Sequence, residues 1–338
     1  MKKSLLAAIL IFTAFVGNAV ALEYKAMKDW VRLPDVNSKA TNQHGDVAVS
    51  AKGEVYVSTM DPAAGVQVFS ADGKHLRNVP GAPNDFHGFV IRRDQDGEFI
   101  YGPRLTAQTV VKMTLEGKVV LEIPASAIPD QFKNVNPPTR KNAKGEVSPN
   151  PDGGKTFVRL TAMDVAPNGD LYVTDGYASD YVHQFDRRGK YIKSFGGKQD
   201  PYGFKTLHKI AVDTRFTPAR IIGVDRANGR VVHLSLDGAF LGVIATDMLL
   251  PAAVAVQGDY AAIGELKGQV TLLDKAGKVA ARFGTNTNPD EAGKNAPDPA
   301  RWVVGIVTAP HGVAFSAKGD VFVSEYSLFG RVHRFNRQ

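Results

Sequence analysis

Cysteine is missing from this chain, so acid–base or metal chemistry falls to histidine, carboxylate and tyrosine side chains. Three of its 8 histidines open stretches of one layout. They are His87 in DFHGFVIRRDQDGEFIYG, His208 in TLHKIAVDTRFTPARIIGVD and His311 in APHGVAFSAKGDVFVSEYS, each just ahead of alternating apolar residues. Three neutral imidazoles that converge and leave a fourth position open are the donor set of a catalytic zinc site. Iron, cobalt, nickel or copper would accept the same donors. An imidazole binds metal only without its second proton, so such a set is expected to lose its ion below about pH 6. The plainer alternative is that His-Gly or His-Lys fills a bend ahead of a strand. His44, in NQHGDVAV, lies one residue before the corresponding position, and the offset is expected to displace it. His75, His183, His233 and His333 fall later in their units and read as surface or sheet-pairing residues.

The elements that would position these rings are strands. Apolar residues recur with period two between turns such as Ala-Lys-Gly, Pro-Asn-Gly and Ala-Asp-Gly, the pattern of antiparallel sheet. Units such as MDVAPNGDLYVTDGYASDYVHQFDRRGKYIKSFGG read as four short strands, the content of one propeller blade. One register mark recurs at Gly45, His87, Met163, His208, Ala252 and His311. Six marks predict an all-β, six-bladed β-propeller over residues 22–338. The last unit lacks a fourth strand, and the N-terminal YKAMKDWVRLP is expected to supply it and close the ring. His87, His208 and His311 belong to units two, four and six. Alternate blades of a six-fold ring stand about 120° apart, so the three rings can face one end of the channel.

Two stretches interrupt the repeat. Residues 127–155 are too rich in Pro, Gly and Asn to be expected to form an element, and NTNPDEAGKNAPDPARW lengthens another connection, at 286–301. Long loops of this kind are usually functional or mobile.

Residues 1–21 read as an export signal: Lys2 and Lys3, a short apolar run, then Ala19 and Ala21 ahead of Leu22. This places the mature chain in the periplasm or outside the cell, with no stable membrane insertion after cleavage. No later segment is apolar enough to span a bilayer. Of the 338 residues 43% are apolar, ample for a large core. The net charge of +7 comes from scattered lysines and arginines, two of them in the leader. No nucleic-acid motif is present, and a nucleic-acid partner is not expected.

DLYVTDGYASDYVHQFDRRGKYIKSFG, LHKIAVD with GVDRANGRVVHL, and APHGVAF together resemble the NHL-repeat propellers, and within them the peptidyl-α-hydroxyglycine α-amidating lyases. The resemblance covers most of residues 45–335. It implies zinc held by His87, His208 and His311, and a functional tyrosine at Tyr177 of the DGY turn. Some positions depart from the family pattern. Met60 stands where the first blade has an arginine, with Arg104 of unit two as a substitute. Ala309 replaces a methionine. Gly312 replaces an acidic residue that helps hold calcium, which speaks against that ion here.

Read from the residues themselves, Tyr177 emerges after the second strand of unit three. It either packs over the channel mouth or stands beside a metal as proton acceptor. Arg226 holds the equivalent station in unit four. It either clamps a substrate carboxylate or pairs with Asp225 or another neighbouring acid. Two functions remain in view. One is a metal-dependent lyase acting on a small carboxylated molecule or peptide. The other is a non-catalytic propeller binding a protein, peptide or glycan, with a structural or sensing metal.

Overall fold

The structure is a computed structural model that describes residues 22–28, 30 and 43–338; the proposed leader, residues 1–21, lies outside the described residues. Six four-stranded antiparallel sheets follow one another along the chain. Their innermost strands are Val47–Val49, Val90–Asp94, Ala162–Val165, Leu207–Asp213, Pro251–Gln257 and Pro310–Phe315, which number blades 1 to 6. In each of the first five blades the strand order in space is the order in sequence, as hairpin-connected strands with short Gly turns dictate. Blade 6 has only three strands of its own. Tyr24–Ala26 pairs antiparallel with Val332–Arg337, Tyr24 opposite Arg337, and supplies the fourth as expected.

Alternation along each strand gives every sheet two apolar faces, and each face packs on the neighbouring blade. The buried apolar residues accordingly fall into six clusters, one per blade boundary. Tyr56, Val66, Phe89 and Ile100 join blades 1 and 2. Phe99, Tyr101, Met163 and Phe185 join blades 2 and 3. The boundary between blades 6 and 1 is filled by Phe322, Ala314, Val47 and Val57 around Trp30. A core divided in this way makes each blade depend on both neighbours, so the ring must close to be stable.

The first long insertion differs from expectation. No element is expected from the Pro-, Gly- and Asn-rich stretch within residues 127–155, yet Asn134–Val135 pairs with Thr156–Phe157, and beyond it Thr139–Lys141 pairs with Val147–Pro149. The prolines and glycines of this segment fall at the turns and flanks of a two-step hairpin, which leaves the short strands free to bond. The second insertion holds a single turn of 3-10 helix, Pro299–Arg301, capped by the Asp298 side chain. Both insertions connect an outermost strand to the next innermost strand, so both rise on the end of the ring where innermost strands begin. They leave between blades 2 and 3 and between blades 5 and 6, on opposite sides of the channel mouth.

Ring closure rests on a short contact. The Tyr24 ring stacks on Phe283 with centroids 4.5 Å apart, and its hydroxyl donates to the Gly319 carbonyl at 3.0 Å. Tyr24→Ala removes a half-buried aromatic pair and should lower the unfolding free energy by about 2 kcal/mol. Urea denaturation checks this, and a change below about 0.5 kcal/mol would show that closure does not depend on the N-terminal strand.

Candidate metal centre

The innermost strands begin with a slip in register. In blade 4, Leu207 pairs with Asp225 but Lys209 pairs with Val224, which leaves His208 as the extra residue. In blade 6, Pro310 pairs with Glu325 and Gly312 with Ser324, which leaves His311. In blade 2 the same one-residue slip lies between Phe86 opposite Arg104 and Val90 opposite Tyr101, and His87 sits within it. A bulge of this kind re-aims a side chain that regular pleating would bury between blades. Here it aims each imidazole at the channel.

Each ring is then fixed by the next blade. His87 Nδ1 bonds the Thr161 carbonyl at 2.8 Å, His208 Nδ1 the Ala252 carbonyl at 2.6 Å, and His311 Nδ1 the Gly45 carbonyl at 2.8 Å. A carbonyl only accepts, so every Nδ1 carries the proton and every Nε2 keeps its lone pair. The rings form a nearly equilateral triangle, with centroids 4.6 Å apart for His87 and His311 and 4.9 Å for the other two pairs. Close approach of the blades needs glycine after two of them. A Cβ on Gly88 would stand 2.6 Å from the Thr161 oxygen, and one on Gly312 would overlap the Asp46 carboxylate.

His44 joins them, against expectation. Its ring lies 4.7 Å from both His87 and His311, and one nitrogen from each of these three falls within 4.8 Å of the others. The one-residue offset did not carry it off the axis. A usable signal was the dipeptide His-Gly, which occurs at 44, 87 and 311 alike. Three of the remaining histidines are buried inside their blades, where they serve internal networks. His183 bonds Ser194, His233 bonds Asp213 and His333 bonds Glu325. His75 lies on the surface.

Tyr177 reaches the centre from blade 3. Its hydroxyl lies 3.0 Å from Nε2 of both His87 and His208, and 3.4 Å from Nε2 of His44. Arg226 of blade 4 donates to the same hydroxyl at 3.2 Å, with its guanidinium over the phenol ring. Asp225 is bonded by Arg230 instead, so the pairing of Arg226 with Asp225 that the sequence left open is not formed. Arg104 is held by Asp85 at 2.8 Å. Among the described residues it makes no hydrogen bond to the histidines or to Tyr177.

A buried acid at the end of the second strand positions these side chains. Asp175, Asp225, Glu265 and Glu325 accept the backbone N–H of Arg159, Lys205, Leu249 and Thr308, each in the segment that leads into the innermost strand of its own blade. Tyr177 follows two residues after the first acid and Arg226 one after the second. Tyr326 follows the fourth, and its ring stands 4.6 Å from His44. Sequence reading missed Tyr326, although SEY and VDR share a register.

The donor set suits a divalent ion. Burial above all holds His87, His208 and His311 well below the usual imidazole range, so they remain neutral. The expected release of metal just below pH 6 therefore moves to lower pH. Nε2 of His311 is buried and has no hydrogen-bond partner among the described residues, an orphan that an ion would satisfy.

No protein-family model matches the chain. Over 214 residues it is 25% identical to peptidyl-alpha-hydroxyglycine alpha-amidating lyase 1 of Drosophila melanogaster, a match that covers 55% of this chain and 36% of that protein. The chain thus spans about a third of the length of that relative. Among solved structures, virginiamycin B lyase from Staphylococcus aureus superposes with a TM-score of 0.56 at 13% identity, covering 93% of this chain and 99% of that one. A gluconolactonase from Xanthomonas campestris gives a TM-score of 0.58 at 11% identity, covering 88% of each chain. These likenesses establish a shared fold.

The pH dependence of stability has a definite sign. Burial, then the Arg226 guanidinium, pushes His44 down to about 4. The unfolded chain therefore takes up the His44 proton first, and stability attributable to this residue is lost as pH falls from about 6.5 to about 4. Asp175, pushed up to about 6 by burial, acts in the opposite direction. The His44 share is therefore read against His44→Gln. Relative to that variant, metal-free protein should lose about 3 kcal/mol across the window. Parallel pH profiles for the two proteins would show that His44 is not held neutral.

Proposed function

We propose that this chain is an exported, metal-dependent lyase-like enzyme that cleaves the N–Cα bond of an α-hydroxyglycine-type substrate to an amide and glyoxylate. One observation carries the reading. Imidazoles locked with their Nε2 lone pairs toward the channel share a single tyrosine hydroxyl, which an arginine also contacts. The 25% identity to an amidating lyase supports the choice of chemistry. We assign His87, His208 and His311 as metal ligands, with His44 as a further nitrogen beside them. Zinc is the first choice because neutral nitrogen donors suit it.

When bound, the ion would supply Lewis-acid charge that favours ionisation of the substrate hydroxyl and of the phenol next to it. The remaining steps belong to the chain. Tyr177 accepts the hydroxyl proton and delivers it to the departing amide nitrogen. One proton leaves oxygen and one arrives on nitrogen, while the N–Cα bond breaks and the carbonyl of glyoxylate forms. Burial raises the Tyr177 phenol above its ordinary pKa, and Arg226 opposes the rise. Arg226 also binds the substrate carboxylate with its free N–H groups. Arg104 serves as a second, outer carboxylate contact only if the substrate displaces Asp85 from it. The substrate enters between the two insertions, which flank the mouth on opposite sides. Export to the periplasm belongs to the proposal. Among the described residues no helix is long and apolar enough to cross a membrane.

Metal analysis after dialysis, followed by assay of glyoxylate from an α-hydroxyhippurate-type substrate, tests the proposal. One ion per chain and glyoxylate release are expected. Bound metal without glyoxylate would leave a non-catalytic propeller that uses the same mouth to hold a protein, peptide or glycan. His208→Ala should abolish metal retention and His44→Ala should preserve it; the reverse would move the third ligand to His44. Tyr177→Phe should slow turnover at least about 100-fold with metal content unchanged. An unaltered rate would reduce the tyrosine to a packing residue.

A further inference from the structure

Directly beneath the histidines the channel is crossed by an ion pair. Lys209 Nζ bonds the Asp46 carboxylate, and the two side chains are 6% and 1% exposed. They come from blades 4 and 1, which stand opposite each other in the ring. Register places them at one level. Lys209 pairs with Val224, and Asp46 accepts from the Ser58 N–H at 3.0 Å; both partners stand one residue before the turn that ends the second strand. The same level holds Ala162, Ala253 and Gly312 in blades 3, 5 and 6. A Cβ at Gly312 would overlap the Asp46 carboxylate, so this glycine makes the room.

The pair touches the backbone that carries each imidazole. Lys209 follows His208 directly. Asp46 follows Gly45, whose carbonyl receives His311 Nδ1–H. The Asp46 carboxylate also takes the Val47 N–H at 2.8 Å and, more weakly, the Phe89 N–H at 3.4 Å, two residues after His87. Two buried charges cost several kcal/mol each to desolvate, and an apolar layer of this size would stabilise the ring as well or better. Such a pair is best explained by geometry that it enforces.

We propose that Asp46 and Lys209 are positioning residues of the metal centre, a charged crossbar that sets the spacing of His87, His208 and His311. This rests on the reading that those imidazoles hold an ion, but its consequence for the rings exists without one. The crossbar acts through the backbone next to His208, through the Phe89 N–H that follows His87, and through Gly45, whose carbonyl accepts from His311, and it touches neither the ion nor a substrate. It also stands between the histidines and the rest of the channel, whose narrow cavity of about 130 Å³ is lined by Lys209, Val90, Ile210, Val254 and Val313.

The test is Lys209→Met with Asp46→Asn in one protein, which removes both charges together and so leaves no lone buried ion. Circular dichroism and cooperative unfolding establish that it folds. In metal-free protein, NMR should show the Nδ1–H protons of His208 and His311 exchanging with water at least about tenfold faster than in wild type. Cobalt(II), used as the probe ion, should bind at least about tenfold more weakly and give an altered d–d spectrum. Slow exchange together with wild-type cobalt affinity and spectrum in the folded variant would overturn the proposal. If wild type itself binds no cobalt, the metal reading fails, and the exchange rates alone decide the crossbar. Should that variant not fold, Lys209→Gln with Asp46→Asn, which likewise leaves no lone buried ion, is carried through the same measurements, with the same outcomes deciding.

Discussion

A hydrogen bond that crosses a blade boundary underlies everything at this centre. An imidazole Nδ1–H donated to a backbone carbonyl of the next blade does three things together. It fixes the tautomer, fixes the ring plane and makes the ring angle a property of how two blades pack. Three such bonds, from blades 2, 4 and 6 to blades 3, 5 and 1, link the whole ring to one point on its axis. The site is thus as rigid as the ring, whose last blade takes its fourth strand from Tyr24–Ala26.

This dependence accounts for features that look unrelated. The bulge at the head of the innermost strands costs a regular ladder position and turns an imidazole toward the channel. Glycine after His87 and His311 lets the carbonyl or carboxylate of the following blade come close. The buried acid that ends the second strand in blades 3 to 6 ties down the segment that leads into the innermost strand of its blade. It also launches Tyr177, Arg226 and Tyr326 toward the axis from fixed stations. The long insertions leave from the same end of the ring, so they flank the mouth above the histidines.

The electrostatics follow from the same enclosure. Four imidazoles and an arginine within a few ångströms would repel one another if protonated, and burial adds a desolvation cost. All four are therefore held neutral, the state in which nitrogen binds metal. Below the centre the buried Asp46 carboxylate is paired with Lys209.

Much of this was legible in the chain. Period-two alternation with regular turns gave the blades, because each strand buries both faces against neighbours. The shared register of His87, His208 and His311 within their units gave their convergence, because a ring maps equal register onto equal radius. The missing strand of blade 6 pointed to the N-terminus for the same reason. His44 and Tyr326 left only a faint trace, the His-Gly dipeptide and the shared register of SEY and VDR, and the Asp46–Lys209 crossbar left none. Each depends on how far one side chain reaches across an axis shared by segments up to 266 residues apart, and on a one-residue slip that displaces nothing at the centre of a ring. Register is a local property that a sequence carries in full. Distance across a closed ring is decided only when the last strand docks.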